Sequence, residues 1–323
     1  MSYTVPRPDE PIRVGVSACL LGRAVRYDGG HKRDAFLVET FGRYVEWVPV
    51  CPEVELGLGT PRPTLRLERH GADVRLMMPK TGDDHTDAMR RYADKRVAAL
   101  AGDDLCGYIL KKDSPSCGME RVKVYDAHAI PAKSGRGLFA AALLQRYPNL
   151  PVEEEGRLND LALRENFVER VFAYRRVRAL FGGRWTLGDL VAFHTAHKLQ
   201  LMAHSPKTYE QLGRLVAVAK HVARPELRAR HESRLMQALT LPATRPRHTN
   251  VLQHMAGYFK KLLDDDSKRE LQSVIDDYRR GLVPLVVPIT LIRHYVRRFD
   301  VTYLDGQVYL DPHPKELMLR NHV

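Results

Sequence analysis

The chain has 323 residues, 44% hydrophobic and 28% charged, an ordinary globular balance with length for two domains, each able to bury its own core. No stretch reaches the roughly 20 consecutive apolar residues of a membrane span, and MSYTVPRPDEPIR lacks the charged start and apolar run of a secretory leader, so the expected location is the cytoplasm. The net charge of +12 is uneven: residues 160–323 hold 27 Lys and Arg against 17 Asp and Glu, a net of +10, and residues 160–254 alone hold 16 against 7.

The first half alternates short apolar runs with helical patterns. IRVGVSA (12–18) reads as a buried strand ending at Cys19, and VEWVPV (45–50) as a second ending at Cys51. VRLMM (74–78) is a possible third, and LCGYILK (105–111) a fourth that contains Cys106 and runs toward Cys117. Residues 31–43 and TDAMRRYADKRVAALAG (86–102) place apolar residues at helical spacing, and LFAAALLQRY (138–147) is another helix, closed by Pro148. Strands alternating with helices predict an α/β N-terminal domain with a mostly parallel, Rossmann-like sheet. PNLPVEEEGRLND (148–160) reads as the linker, which sets the domains at 1–158 and 159–323.

Beyond the linker the pattern is mostly α-helical, in segments beginning at LALRENF, TLGDLVAF, TYEQLGR, PELRARH, TNVLQHM, KRELQSV and VPITLIR. The tail VTYLDGQVYLDPHPKELMLRNHV could hold a short hairpin turned at Asp305-Gly306. A basic helical domain beside a near-neutral one fits a polyanion-binding module joined to a chemical one; a merely solvated basic surface fits the same counts.

Four cysteines occur, Cys19, Cys51, Cys106 and Cys117, with no C-x-x-C pair to support a zinc ribbon or a thioredoxin motif. Ligands of open α/β sheets gather outside the carboxyl ends of strands, so Cys19, Cys51 and Cys117 could meet at one edge. Three such thiols could hold zinc with a fourth ligand, hold an iron–sulfur cluster with one iron left open, or be unrelated core residues. Their neighbours add weight to a site. Glu53 follows Cys51 in CPEVELGLGTPRP, and Ser114 and Ser116 flank Pro115 before Cys117. A solvated loop acid and a serine-proline turn are the plain alternatives. A hydroxyl and a carboxylate beside an open iron would suffice for proton transfer. Gly118 would let the backbone approach a cluster closely, and Asp28-Gly29 reads equally well as an ordinary turn.

VSACLLGRAVRYDG, VPVCPEVELGLGTPRP and LKKDSPSCG, in this order, resemble the thiouracil desulfidase family, and GLFAAALLQRYPNLPVEEEGRLND extends the match. FHTAHKLQLMAHSPKTYEQLG, NVLQHMAGYFKKLL, YRRGLVPLVVPITLIRHYV and QVYLDPHPKELMLRN resemble the YbgA-like helical domain. The fusion is similar to bacterial tRNA 4-thiouridine desulfidases. The resemblance implies a [4Fe-4S] cluster on Cys19, Cys51 and Cys117, with Glu53 and Ser114 as catalytic residues. It implies a non-redox enzyme that converts 4-thiouridine in tRNA to uridine and releases sulfide, the open iron binding the substrate sulfur. Alternatives are a desulfidase of free thiouracil or thiouridine, and a non-catalytic cluster protein that binds nucleic acid.

The RNA contacts expected on the helical domain are Arg175, Arg176, Arg178, Lys198, Lys207, Arg214 and Lys220, each alone also explicable as a solvated helix face. His194, His197 and His204 have partly helical spacing, but no carboxylate lies among them, which favours polar core or RNA contact over metal.

Overall fold

The computed structural model describes residues 11–322. The N-terminal stretch read for a leader therefore lies almost wholly outside the described residues. The chain divides into two compact units at Asn159/Asp160.

The first unit carries two sheets. In one, β1 (Ile12–Ser17), β2 (Val45–Val50), β6 (Gly107–Leu110) and β9 (Val152–Glu154) lie in the order β2-β1-β6-β9. All three pairings are parallel, as the alternating pattern predicts. β1 and β6 are buried on both faces, which is why they read as continuous apolar runs. The second sheet combines β3 (Arg66–His70), β4 (Asp73–Met78), β5 (Asp83–Asp84), β7 (Val122–Tyr125) and β8 (Pro131–Gly135) in the order β5-β4-β3-β7-β8. Its pairings are antiparallel except for β3 with β7. VRLMM thus belongs to this separate, mainly antiparallel sheet.

Several boundaries differ from the sequence pattern. Residues 31–43 form only a π-turn at Phe36–Thr40 and a 3-10 turn at Phe41–Arg43. α2 (Thr86–Ala99) passes into a 3-10 turn at Leu100–Asp103. Cys106 sits just before β6 and not inside it. The largest correction concerns the supposed linker, which contains β9: its three glutamates belong to the sheet edge or the turn beyond it, with Val152, Glu153 and Glu154 buried. A charge run flanked by prolines carries no alternation to betray a strand.

The second unit is helical. α4 (Leu161–Phe181) begins at Asp160, whose carboxylate accepts from Ala162 N and Leu163 N, both 3.0 Å. The single helix expected over TLGDLVAFHTAHKLQLMAHS is two, α5 (Leu187–Ala196) and α6 (Lys198–His204), broken at His197. α7 (Pro206–Ala217), α8 (Arg224–Leu239), α9 (Arg245–Ala256), α10 (Asp265–Arg280) and α11 (Val286–Arg298) follow. Thr186 with Asp189, Ser205 and Asp264 supply N-caps, and Gly281 in the left-handed region ends α10. One buried core joins Leu199, Leu252, Phe259, Ile275, Tyr278 and Ile292. The tail forms no hairpin: Thr302–Asp305 is a short helix, α12, followed by turns. Among the described residues no helix is long and apolar enough to cross a membrane.

Candidate active site

The carboxyl ends of β1, β2 and β6 lead into three loops that share one cavity of about 340 Å³ in the first unit. Cys19, Cys51, Cys117, Glu53 and Ser114 all line it. Cys19 lies in the 3-10 turn after β1, and Cys51 is the N-cap of the short α1 (Pro52–Glu55) after β2. No cysteine is in a disulfide; Cys19 and Cys117 are buried and Cys51 is half-buried.

Burial pushes the Cys19 thiol up to about 11, and a charge on Cys51 would add to the shift. Burial also raises Cys51, and it raises Cys117 well above the ordinary thiol range. Glu53, Cys51 and Cys19 raise Cys117 further, against a hydrogen bond from Ser17 that favours its thiolate. Three thiols that oppose one another's ionisation form a donor set that a positive, soft metal centre would satisfy. Among the described residues no group of three or more His, Cys, Asp or Glu could hold a metal ion by itself. The cavity between the thiols has room for a larger group, and their chemistry fits an iron–sulfur cluster.

Glu53 occupies the first turn of α1, pointed by two partners. Its Oε1 accepts from Ser116 Oγ at 3.0 Å. Its Oε2 accepts from Arg62 Nε at 3.0 Å and closely from Arg62 Nη2. Arg62 is itself fixed, donating to Gly59 O at 2.8 Å and Val25 O at 3.1 Å. Glu53 is therefore no solvated loop acid.

Ser114 Oγ accepts from Cys117 N at 3.0 Å and from Ser116 N at 3.3 Å. The turn role and the cavity position coexist in this residue: its oxygen shapes the loop, and its hydroxyl hydrogen is not used by either contact. Gly118 is needed for packing within the loop, because a Cβ there would lie 2.3 Å from Val122 Cγ2 and 2.8 Å from Ser114 O. That is a different reason from close approach to a cluster. Gly137 plays the matching part at the start of α3 (Leu138–Arg146), where a Cβ would come within 2.5 Å of Ser116 O. This contact lets Phe139 N donate to Ser116 O at 3.0 Å and pin the serine-proline loop. Asp28-Gly29 is an ordinary turn, with Gly30 N donating to Asp28 Oδ1 at 3.0 Å.

The glutamate run holds the same loop from the other side. Glu155 pairs closely with Lys111 Nζ and accepts from Lys112 N at 2.7 Å. Glu154 accepts from Met119 N at 2.7 Å. Ser17 Oγ accepts from Lys111 N at 3.0 Å. Sequence reasoning missed Arg62, Ser17 and these glutamates; Arg62 stands in the CPEVELGLGTPRP motif and was the one with a visible signal.

In the helical unit, Lys207, Arg214 and Lys220 are exposed, and Arg175, Arg178 and Lys198 are half-buried. Arg178 lies over Tyr174 at 5.7 Å and Lys198 over Tyr209 at 5.8 Å. Arg176 is a correction: it is buried, with its guanidinium against Pro312 O, so it cannot reach a polyanion. His197 and His204 are polar core. His197 Nδ1 lies 2.8 Å from Phe193 O, and His204 Nε2 lies 3.3 Å from Glu169 Oε2. Burial depresses His204, but the Glu169 charge overcomes it and leaves the imidazole raised.

Residues 14–155 match the family described as 2-thiouracil desulfurase, and residues 198–314 match one described as a protein of unknown function, DUF1722. The uncharacterized protein YbgA of Escherichia coli is 34% identical over 153 residues, 47% of this chain and 90% of YbgA. The uncharacterized protein YbbK of Bacillus subtilis is 32% identical over 155 residues, 45% of this chain and 97% of YbbK. A solved structure titled [4Fe-4S]-dependent thiouracil desulfidase TudS is 32% identical, covering 49% of this chain and 99% of that one, with a TM-score of 0.39.

Proposed function

The chain belongs to the 2-thiouracil desulfurase family through its first half and to the YbgA-like family through its second, and from that premise we propose that it is a [4Fe-4S]-dependent desulfidase that converts 4-thiouridine in tRNA to uridine. The observation that carries the reading is the convergence of Cys19, Cys51, Cys117 and Glu53 on one cavity. Cys19, Cys51 and Cys117 would hold the cluster, which supplies Lewis acidity toward the soft thiocarbonyl sulfur.

The chain's own residues supply the rest. Water replaces sulfur at the ring carbon and hydrogen sulfide leaves, so atoms balance without net electron transfer. Glu53 takes the proton of the attacking water on its carboxylate, which Arg62 and Ser116 aim into the cavity. The Ser114 hydroxyl, held by Cys117 N, donates its hydrogen to the polar edge of the pyrimidine and sets the ring's orientation. Lys111 and Lys112, tied to Glu155, keep the Cys117 loop in position.

The tRNA assignment is supported by the charge of the helical half, where residues 160–254 carry 16 basic and 7 acidic side chains. Lys207, Arg214 and Lys220 remain as exposed phosphate contacts. The family description favours a second reading, free 2-thiouracil or its nucleoside as substrate, with the helical half serving another role. Paired assays of anaerobically reconstituted protein on tRNA and on the free base separate the two. Turnover on tRNA that falls with rising salt supports the first; turnover on the base alone supports the second.

A further inference from the structure

Six side chains of the helical unit form two ring groups, in one of which Tyr303 also packs against the apolar core. Tyr258 and Tyr303 stack with ring centroids 5.1 Å apart and planes 12° apart. His194 and Tyr209 stack at 6.0 Å and 5°. Lys198 Nζ lies 5.8 Å over the Tyr209 ring, and His254 meets the edge of Tyr258 at 5.8 Å. Lys198 is the charge common to both: after burial, its field is what lowers both His194 and His254, and it opposes the burial-driven rise at Tyr258. The two imidazoles are therefore biased toward the neutral form, in which His194 stacks on Tyr209 and His254 packs edge-on against Tyr258.

A core rim would keep these rings covered. Tyr258 is instead 38% exposed and His254 is exposed, while Tyr209 and Tyr303 are half-buried. Exposed lysines flank the rings in sequence, Lys207 before Tyr209 and Lys260 and Lys261 after Tyr258. Aromatic faces beside cations on a basic domain are the chemistry of single-stranded nucleic-acid binding, where bases stack on rings and ammonium groups neutralise phosphate. A protein partner would gain nothing from the surplus positive charge unless it were acidic, whereas RNA uses both parts.

We propose that this surface is a stacking platform for unpaired bases of the RNA substrate, with Tyr258 and Tyr209 as its two rings and Lys198 beside Tyr209. The inference rests on the tRNA reading and deepens it. Affinity for RNA then has two separable components, one from phosphate contacts and one from stacking. Only the first releases counterions and depends steeply on salt.

The test uses the full chain with Tyr209→Ala, Tyr258→Ala and the matching Phe variants, each checked for an unchanged melting temperature. Binding is read by anisotropy with bulk tRNA, and by fluorescence quenching of a single-stranded oligoribonucleotide carrying 2-aminopurine. Each alanine variant should weaken binding about tenfold, a typical loss for one stacked base. It should reduce the quenching and leave the slope of log affinity against log salt unchanged. The phenylalanine variants should bind as the parent does. Folded alanine variants that bind and quench like the parent would overturn the platform while leaving the tRNA reading intact, and would assign the surface to a protein partner or a core rim. Equal losses from Ala and Phe would overturn it too, since Phe keeps the ring. A parent chain that binds no RNA at any salt would defeat the tRNA reading itself.

Discussion

Ser116 Oγ donates to Glu53 Oε1 at 3.0 Å, joining the loop after β2 to the loop after β6 across 63 residues of sequence. Ser116 has no exposed surface and the Glu53 side chain is 15% exposed, so solvent competes little with this bond. With Arg62 on the other oxygen, Glu53 is held from two sides and aimed by groups that line or back one cavity.

Glu53→Gln keeps the shape and one oxygen to accept from Arg62, but its NH2 cannot accept from Ser116 and the side chain cannot take a proton. It should load the cluster normally, read as visible absorbance, and lose turnover by roughly 10²–10⁴-fold, the usual range for a general base. Normal turnover in the loaded variant would remove Glu53 from proton transfer.

Arg62→Ala leaves the carboxylate in place and removes its aim. Turnover should fall less than in Glu53→Gln, by about tenfold to a hundredfold. Arg62→Lys should restore little, because one ammonium cannot reproduce the Nε and Nη2 pair or reach Val25 O and Gly59 O together. Full activity in Arg62→Lys would show that only its charge matters.

Cys19→Ser, Cys51→Ser and Cys117→Ser should each abolish the cluster's absorbance and turnover together, and Cys106→Ser neither. Cys106 does not line the cavity and sits one residue ahead of β6. Iron and sulfide content of each purified variant is the check. A fully loaded Cys51→Ser protein would contradict the ligand assignment.

The buried His204–Glu169 pair makes the helical unit's stability depend on pH. Burial alone would raise the Glu169 carboxyl, but His204 first, with Arg320 and Gln200, overcomes it and holds Glu169 well below the usual range. Its contribution is present above about 4.5 and is lost as pH falls through the depressed folded value. His204 is raised, so its contribution is present below about 6.5 and is lost as pH rises through the folded value. Urea unfolding of the full chain should therefore show an acid arm and an alkaline arm for this unit. His204→Ala should cost about 3–5 kcal/mol and remove the alkaline arm. A flat alkaline profile in the parent would exclude the pair as its source.

Much of the parallel sheet was legible because β1 and β6 are buried on both faces and read as continuous apolar runs, and because β1 and β2 each lead directly into a cysteine. β9 was hidden because Glu153 and Glu154 look solvated, while in the structure they face Arg157 and Met119 N. The five residues singled out do line one cavity, since strand ends are where a parallel sheet gathers its loops. What orients them was not legible. Ser17 acts through a contact 94 residues away that no local spacing encodes, and Arg62, though it lies in the same motif as Glu53, reaches it only because the loop folds back across nine residues. The removal of Arg176 has the same cause: a helix of mixed polarity does not disclose which arginine turns inward.

The most direct measurement is the 4-thiouridine content of bulk bacterial tRNA before and after incubation with anaerobically reconstituted protein, by nucleoside mass spectrometry. The account predicts loss of 4-thiouridine with a matching gain of uridine and release of sulfide. Unchanged 4-thiouridine, with protein that contains a full cluster and binds the tRNA, would contradict it.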